Sequence, residues 1–423
     1  IGVGIGFLSS PSNVDEALSM VSSSHDSNDD NYNEVHDNAL HYHQEKPHDD
    51  EHHYDHGKHV KHQLQNRPWA SIFVAAFFFF MIAMGTLVFY AIQRASQAGW
   101  PILLYRVMEG ITGYLLPGSI LLFLFFLVSG LHMNHIYVWM DPETVAHDEI
   151  IQGKVSYLNI PFFMLRALIY LTGWNLYRYL SRRLSIAQDN AEKGNIKNYK
   201  LNFKISAGFL AFFFVTESMM AWDWIMSIDP HWFSTLFGWY VLASSLVTSV
   251  TVIAITTIFL KSKGYLPKVN DSHIHDLAKF MFGLSIFWTY LWFSQYMLIW
   301  YSNIPEEVTY FLTRIDDYQL PFFGMIILNF VLPLLILISS EYKRSNWIIV
   351  MAGIIIIIGH YIDIFNMIMP GTVGDQWFIG IPELGAFTLF SGLYLYFVFN
   401  SLSKVPLEAS GDPYIVESKK FIY

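Results

Sequence analysis

Residues 69–92 read WASIFVAAFFFFMIAMGTLVFYAI, an apolar stretch without a charged side chain. Its length matches the roughly 20 residues that an α-helix needs to cross a bilayer. Eight similar stretches follow, and the chain is 53% hydrophobic but only 14% charged. These features predict an all-α polytopic membrane protein, because a spanning segment must pair its backbone polar groups internally. The predicted spans are residues 67–92, 112–131, 158–177, 205–225, 236–260, 280–300, 319–339, 347–369 and 383–402.

A tenth span is predicted to be represented only by its end. The chain opens on IGVGIGFL at residues 1–8, which is apolar but too short to cross a bilayer. A flexible apolar terminus is the alternative explanation. With this segment about ten transmembrane helices are expected, and the shared orientation of spans one to four and five to eight suggests two four-helix bundles plus peripheral helices. The predicted division is 1–8 (end of a truncated first helix), 9–66 (a His- and acid-rich outer segment), 67–225 and 236–369 (four-helix bundles), 383–402 (last helix) and 403–423 (cytoplasmic tail).

The basic residues predict how the helices are oriented. Eighteen of the 25 Lys and Arg fall on one side of the predicted membrane and six on the other, and Arg166 lies inside a span. Cytoplasmic loops are enriched in Lys and Arg. The C-terminus is therefore predicted to be cytoplasmic, and residues 9–66 are predicted to lie outside.

The predicted outer segment, residues 9–66, is acidic and rich in histidine. It holds ten of the 17 His and twelve acids against three Lys, which accounts for nearly all of the net charge of −10. Such groups could bind Zn²⁺ or Cu²⁺ weakly, but their spacing matches no fixed metal site, and a solvated loop or a docking strap for an extrinsic partner is favoured. The chain has no Cys, which excludes iron–sulfur ligation, haem c attachment and disulfides within it.

Ionisable side chains inside the predicted spans are rare, and each is a candidate functional residue because its burial in lipid is costly. The fourth span contains TESMMAWDW at residues 216–224 and continues into SIDPHW. The eighth contains GHYIDIFN at residues 359–366, whose His, Asp and Asn fall on one helix face at spacings of three. The candidate site residues are Glu217, Asp223, His360, Asp363, Gln295, Arg166, Asp229 and His231.

Two interpretations of these residues remain open. In the structural one, Arg166 neutralises one carboxylate and His360 hydrogen-bonds Asp363. In the functional one, the polar groups form a proton relay or a pocket for a polar headgroup, because a buried carboxyl group is a natural proton carrier. A b-type haem is disfavoured, since the candidate axial ligands are His360 and two histidines on one helix end, His132 and His135.

Three motifs carry a resemblance to a known family. They are WDWIMSIDPHWFSTLF at residues 222–237, FWTYLWFSQYMLIWYSNIPEE at 287–307 and HYID at 360–363. From residue 1 to about residue 401, the chain resembles the F-type membrane subunit of alternative complex III, the bacterial quinol:cytochrome c oxidoreductase. The large membrane subunits of that complex are similar to the polysulfide-reductase NrfD proteins.

The resemblance implies a subunit of the bacterial inner membrane that carries no cofactor or metal itself, with residues 9–66 in the periplasm. It implies partners: a sister NrfD-like membrane subunit, subunits that carry iron–sulfur clusters and haems c, and a terminal oxidase. Bound phospholipid is expected, and nucleic acid is not. Quinol oxidation is attributed chiefly to the sister subunit and proton conduction to both large membrane subunits. The expected contribution of this chain is a proton pathway, a quinone or lipid pocket, and a scaffold for the redox subunits.

Two other functions remain open. A secondary transporter, including one for a metal gathered by the histidine-rich segment, would require broken helices at matching places in both halves. A purely structural scaffold would tolerate neutralisation of Glu217, Asp223, His360 and Asp363.

Overall fold

A computed structural model describes residues 2–25, 49–192 and 194–422, without the side chains of residues 22–25 and 49–59. Within these ranges the protein is helical and has no β-strand. Seven of the described helices are long and apolar enough to cross a membrane. The protein is therefore an all-α, multi-pass membrane protein, as the hydrophobic pattern predicted.

The helices are numbered here in chain order. The first group is α1 (Gly2–Leu8), α2 (Val14–His25), α3 (Asp49–Ala95), α4 (Tyr105–Ile111), α5 (Leu115–Gly130), α6 (Pro142–His147), α7 (Glu149–Lys154), α8 (Ile160–Asp189) and α9 (Lys197–Trp224). The second group is α10 (Phe237–Ser262), α11 (Asp271–Ser302), α12 (Pro305–Asp316), α13 (Gln319–Ile326), α14 (Leu332–Leu337), α15 (Asn346–Val373), α16 (Ile381–Ser403) and α17 (Ile415–Lys420). A π-helical segment, Ile327–Val331, joins α13 to α14.

Each of the nine predicted spans falls on a helix, but two of these helices differ in composition. Helices α8 and α11 are 30 and 32 residues long, respectively, and neither is among the seven that are apolar enough to cross a membrane by composition alone. Arg166 lies in α8, and α11 is rich in Trp, Tyr and hydroxyl side chains. The predicted total of about ten spanning helices is therefore not confirmed.

Helix α3 is the centre of the molecule. Of its most apolar window, 94% is buried inside the protein, because α3 packs against α5, α9, α10, α15 and α16. Gly85 lets α10 approach closely: a Cβ there would lie 2.3 Å from Ser245 Oγ. Ser249 Oγ donates to the Ile82 carbonyl across this contact at 2.8 Å. Small and hydroxyl-bearing side chains of this kind are what tightly packed membrane helices use.

The other helices pack in two groups beside α3. In the first, α5 contacts α3 and α8, and α9 contacts α8 and α3. In the second, α10 contacts α11 and α15, and the α13–α14 pair contacts both α11 and α15. Helix α1 packs along α16, with Gly2 close to the Ile381 carbonyl.

The outer segment and the predicted tail both contain helices. In the outer segment, residues 9–66, α3 begins at Asp49, and residues 49–66 contain no Pro that would stop a helix. In the predicted tail, residues 403–423, α17 is docked: Ser418 is fully buried and donates to the Trp100 carbonyl at 2.7 Å. Asp412 is also tied down, by an ion pair with Arg94 at 2.8 Å.

Candidate functional site

Asp363 lies in α15 with no exposed surface, and three side chains donate hydrogen bonds to it. Tyr240 Oη donates to Oδ1. Ser244 Oγ and Trp288 Nε1 donate to Oδ2 at 2.9 and 3.0 Å. Tyr240 and Ser244 are one turn apart on α10, and Trp288 comes from α11. Three helices therefore converge on one carboxyl group.

Ser244 also links Asp363 to His360, which is fully buried one turn earlier on α15. The Ser244 Oγ–His360 Nδ1 distance is 2.8 Å. The direct distance between His360 Nδ1 and Asp363 Oδ2 is 3.4 Å, which is long for a hydrogen bond. The contact expected between His360 and Asp363 is therefore made through a hydroxyl group.

Near His360, some buried polar atoms have no hydrogen-bond partner among the described residues. These atoms are His360 Nε2 and the amide oxygen and nitrogen of Asn329. Asn329 lies in the π-helical segment and packs against Gly359, where a Cβ would lie 2.1 Å from Asn329 Oδ1. Buried polar groups of this kind are usually satisfied by ordered water. The polar region thus extends from Asp363 past His360 towards Asn329.

A cavity of about 110 Å³ opens one helical turn from Asp363. Phe237, one turn before Tyr240, and Met367, one turn after Asp363, both line it. Asp229, Trp232, Tyr310 and Arg314 are also among its lining residues. The cavity is large enough for several water molecules, and its end of α15 is on the side predicted to be outside.

Tyr310, a lining residue of this cavity, is influenced by two acids. It stacks on Trp232 with ring centroids 3.8 Å apart. Burial raises the pKa of the Tyr310 hydroxyl; Arg314 opposes this rise, while the charges of Asp363 and Asp229 add to it. Tyr310 is therefore close enough to sense both carboxyl groups.

Arg314 is an almost fully buried cation at the same cavity. It donates to the carbonyl oxygens of Asn366 at 3.1 Å and Tyr310 at 2.7 Å, and its guanidinium carbon is 3.3 Å from the centroid of the Tyr310 ring. Among the described residues no carboxylate pairs with Arg314 within 4.0 Å. Its charge is therefore available to attract a negative group in the cavity.

Asp223 and Arg166 form a separate, closed pair. Arg166 Nε and Nη2 bind the two carboxylate oxygens of Asp223 at 2.7 and 2.9 Å, and Tyr170 donates to Oδ2 at 3.1 Å. The guanidinium of Arg166 also lies over the Tyr157 ring, 3.9 Å from its centroid. This is the neutralising contact of the structural interpretation.

Glu217 is 1% exposed, and its Oε1 atom has no hydrogen-bond partner in the part of the chain that the structure describes. It lies on α9, and among the described residues no hydrogen bond or ion pair joins it to Asp363 or His360. Gln295, on α11, is likewise buried with an unpartnered Oε1. Burying an uncharged side chain costs much less than burying a carboxylate without a cation. Both positions therefore favour a neutral side chain.

The last two candidates lie near the surface. His231 Nε2 is 2.6 Å from Asp148 Oδ2, and the side chains are 47% and 24% exposed. Burial acts to raise the pKa of Asp148, but hydrogen bonds from the Ile151 N–H and from His231 outweigh it and lower that pKa. Asp229 is half-buried at the cavity. The eight candidates thus form separate clusters, one around Asp363, one around Asp223, and isolated groups.

A second, larger cavity of about 480 Å³ lies between α13, α15 and α16. Its lining is almost wholly apolar and includes Leu328, Tyr361, Trp377 and Phe387. Glu383, at one end, is already bound by Arg67 Nε at 2.9 Å and by the Gly380 N–H at 2.8 Å. The cavity therefore suits a lipid chain better than the polar ring of a quinone, which needs polar partners to fix its orientation.

The histidine-rich segment is mostly outside the described residues. Of its ten histidines only His62 has a described side chain, and it stacks on His135 with ring centroids 4.0 Å apart. Among the residues that the structure describes, no group of three or more His, Asp or Glu could hold a metal ion.

Sequence reasoning missed four members of the site: Tyr240, Ser244, Trp288 and Arg314. Tyr240 and Ser244 have the spacing of one helix face, and this was the available signal. Hydroxyl groups in membrane helices, however, commonly bond to their own backbone, as Thr248 does to the Ser244 carbonyl at 2.7 Å. The spacing alone therefore does not reveal a partner.

Comparison of the chain with models of known protein families and with curated proteins gave no match. The protein is an all-α multi-pass membrane protein with a buried, hydrogen-bonded carboxyl cluster.

Proposed function

We propose that this protein is an integral membrane subunit of a bacterial quinol-oxidising respiratory complex of the alternative complex III type, and that Asp363 relays protons within it. The observation that carries the proposal is the position of Asp363: fully buried, contacted by three side chains from two other helices, and joined by Ser244 to His360. A buried structural carboxylate is commonly paired with a cation, whereas a relay needs exchangeable hydrogen bonds.

The three motifs that carry the family resemblance meet around this site, which supports the proposal. Trp288, of the 287–307 motif, donates to Asp363, of the HYID motif. Asp229 and Trp232, of the 222–237 motif, line the adjacent cavity together with Met367.

The relay step needs no movement of heavy atoms. In one state, protonated His360 donates its Nδ1 hydrogen to Ser244 Oγ, and Ser244 donates its own hydrogen to the Asp363 carboxylate. The Ser244 hydrogen then moves to Asp363 Oδ2 while the Nδ1 hydrogen moves to Ser244 Oγ. The products are a neutral carboxylic acid and a neutral imidazole that keeps its Nε2 hydrogen, so one proton has passed from His360 to Asp363.

The cavity beside Asp229 and Arg314 is the proposed exit. Asp363 loses its proton towards water in this cavity, where the cation of Arg314 stabilises the negative charge that remains. In the proposed orientation the cavity faces the periplasm, and the C-terminus lies in the cytoplasm of a bacterial inner membrane. Quinol oxidation, the iron–sulfur clusters and the haems c belong to partner subunits, and a terminal oxidase or cytochrome accepts the electrons.

The test is to replace Ser244 with Ala in the assembled complex and to measure quinol oxidation and proton release together. We expect proton release per unit time to fall by about tenfold or more, because proton transfer by a positioned side chain typically contributes at least 10²-fold and water can replace part of it. Ser245→Ala is the matched control. Ser245 is equally buried, but it donates to the Met81 carbonyl at 3.2 Å and does not contact Asp363.

Unchanged proton release in the Ser244→Ala complex would contradict the relay. Equal losses in both variants would mean that any serine removed from α10 damages the protein.

A scaffold is the second candidate function, and the Arg166–Asp223 pair favours it. This pair saturates both carboxylate oxygens of Asp223, so these residues are assigned to structure and not to the relay. A transporter is less well supported. A transporter would need helix breaks at matching places in the two halves. Irregular helical segments occur before α5, at Trp100–Leu104 and Thr112–Tyr114, and between α13 and α14, at Ile327–Val331. Helix α11, which holds the same place in the second half as α5 in the first, is continuous.

A further inference from the structure

Two arginines of α8, Arg178 and Arg182, hydrogen-bond to uncharged groups alone in the described part of the chain. Arg178 Nε donates to Thr112 Oγ1 at 3.3 Å. Arg182 donates to the carbonyl oxygens of Glu109 at 3.2 Å and Ser401 at 2.8 Å. All of these acceptors are neutral, and in the described part of the chain neither arginine has an ion-pair partner within 4.0 Å.

The neighbouring acids are already occupied. The Glu109 carboxylate binds Arg106 at 2.6 Å and accepts from Tyr90 at 3.1 Å. Asp189 is paired with Arg106 as well, and Asp412 with Arg94. The region therefore has four arginines against three carboxylates, and Arg178 and Arg182, which lie one turn apart on α8, pair with none of these acids.

The position of these arginines along α8 matches the edge of a bilayer. Helix α8 begins at Ile160, and 18 residues separate Ile160 from Arg178, a rise of about 27 Å along the axis. The hydrocarbon layer is about 30 Å thick. Leu176 and Tyr179, beside Arg178, are 54% and 59% exposed, as expected for a surface that meets lipid, where Tyr is enriched at the headgroup level.

We propose that Arg178 and Arg182 bind the phosphate of an anionic phospholipid headgroup where α8 meets α4 and α16. Arg178 has four guanidinium N–H donors, on Nη1 and Nη2, without a protein acceptor among the described residues, and a guanidinium fork matches a phosphate group. Basic recesses between membrane helices on the cytoplasmic side are typical sites for anionic lipids. The site is independent of the proposed relay.

The experiment titrates the full chain, purified in detergent and stripped of lipid, with phosphatidylglycerol, and counts bound lipid by native mass spectrometry. Phosphatidylcholine and inorganic phosphate are the comparison ligands. We expect phosphatidylglycerol to bind at least about tenfold more tightly than phosphatidylcholine, and Arg178→Gln to weaken its binding about tenfold, the effect of losing one charged hydrogen bond. Arg183→Gln is the matched control, since Arg183 is the next arginine on α8 and is exposed.

Several results would overturn the proposal. These are equal affinities for the two lipids, equal losses in Arg178→Gln and Arg183→Gln, or full competition by millimolar inorganic phosphate, which would indicate a site for free phosphate. Arg182 makes more protein contacts than Arg178, so Arg182→Gln could impair folding. The Arg178 side chain makes one hydrogen bond to the protein, so Arg178→Gln tests lipid binding with little effect on folding.

Discussion

Replacing Asp363 with Asn is expected to lower proton release coupled to quinol oxidation by about 10²-fold or more in the assembled complex. Asn cannot take up and release a proton, so the step from Ser244 to the carboxyl group is lost. The amide group also meets three donors that converge on the carboxylate. The Trp288 N–H can only donate a hydrogen bond, and a buried donor left without an acceptor costs about 1–3 kcal/mol. We therefore also expect a lower melting temperature.

The readouts are proton release, quinol oxidation and the yield of assembled complex from the same preparation. Asp271→Asn is the chemical control, because Asp271 forms an exposed ion pair with Lys261, and such pairs contribute little to stability. An Asp363→Asn complex that assembles and releases protons at the rate of the unmodified complex would remove Asp363 from the pathway. If loss of assembly is the sole defect of the Asp363→Asn variant, the scaffold function is favoured.

Replacing Asp223 with Asn is expected to lower stability by about 3–5 kcal/mol, because the charge of Arg166 is left buried without its partner. The side chains of Arg166 and Asp223 are 4% and 0% exposed, so water does not compensate. The melting temperature of the purified protein in detergent measures the effect. Arg166→Met alone should be destabilising for the same reason, since it leaves the carboxylate with Tyr170 as its remaining side-chain partner.

The double variant Arg166→Met, Asp223→Leu separates a structural pair from a functional one. Replacing both members of a buried pair with apolar side chains is often nearly neutral, so the double variant should recover most of the melting temperature lost in either single variant. It should also retain proton release. Loss of proton release in a stable double variant would place Asp223 in the relay and contradict its assignment to structure.

The apolar stretches were sufficient to predict the helical membrane fold, because the bilayer imposes one simple length and composition rule. The apolar stretches were less informative about helical residues that lie outside them. Residues 49–66 were assigned to a loop for their charge and histidines, although α3 continues through them. Likewise, no local pattern indicates that Asp412 and Ser418 anchor the predicted tail to Arg94 and Trp100. Such long-range contacts have no local sequence signal.

The site was only partly predictable for a similar reason. Asp363, His360 and the pairing of Arg166 with a carboxylate followed from the cost of burying charge in a membrane. The sequence could not show that Ser244 would stand between His360 and Asp363, nor that Asp229 and Arg314 would share a cavity. These depend on the rotation and depth of helices far apart in the chain. Glu217 was grouped with the others by span, whereas the structure leaves it on its own.

The proposed function rests on a physical difference between the Asp223 cluster and the Asp363 cluster. Asp223 is held by a cation through two parallel hydrogen bonds, an arrangement that favours one fixed state. Asp363 is held by hydroxyl and indole groups, of which the hydroxyls can donate or accept. Only the second arrangement lets a proton arrive and leave without breaking an ion pair.

Isolation of this chain under mild detergent, followed by mass spectrometry of its partners and a reduced-minus-oxidised optical spectrum, tests the central claim most directly. The account predicts co-purified iron–sulfur and haem c subunits, a haem c spectrum, and no haem left on this chain after the subunits are dissociated. A chain that is isolated alone and colourless would contradict membership of a respiratory complex.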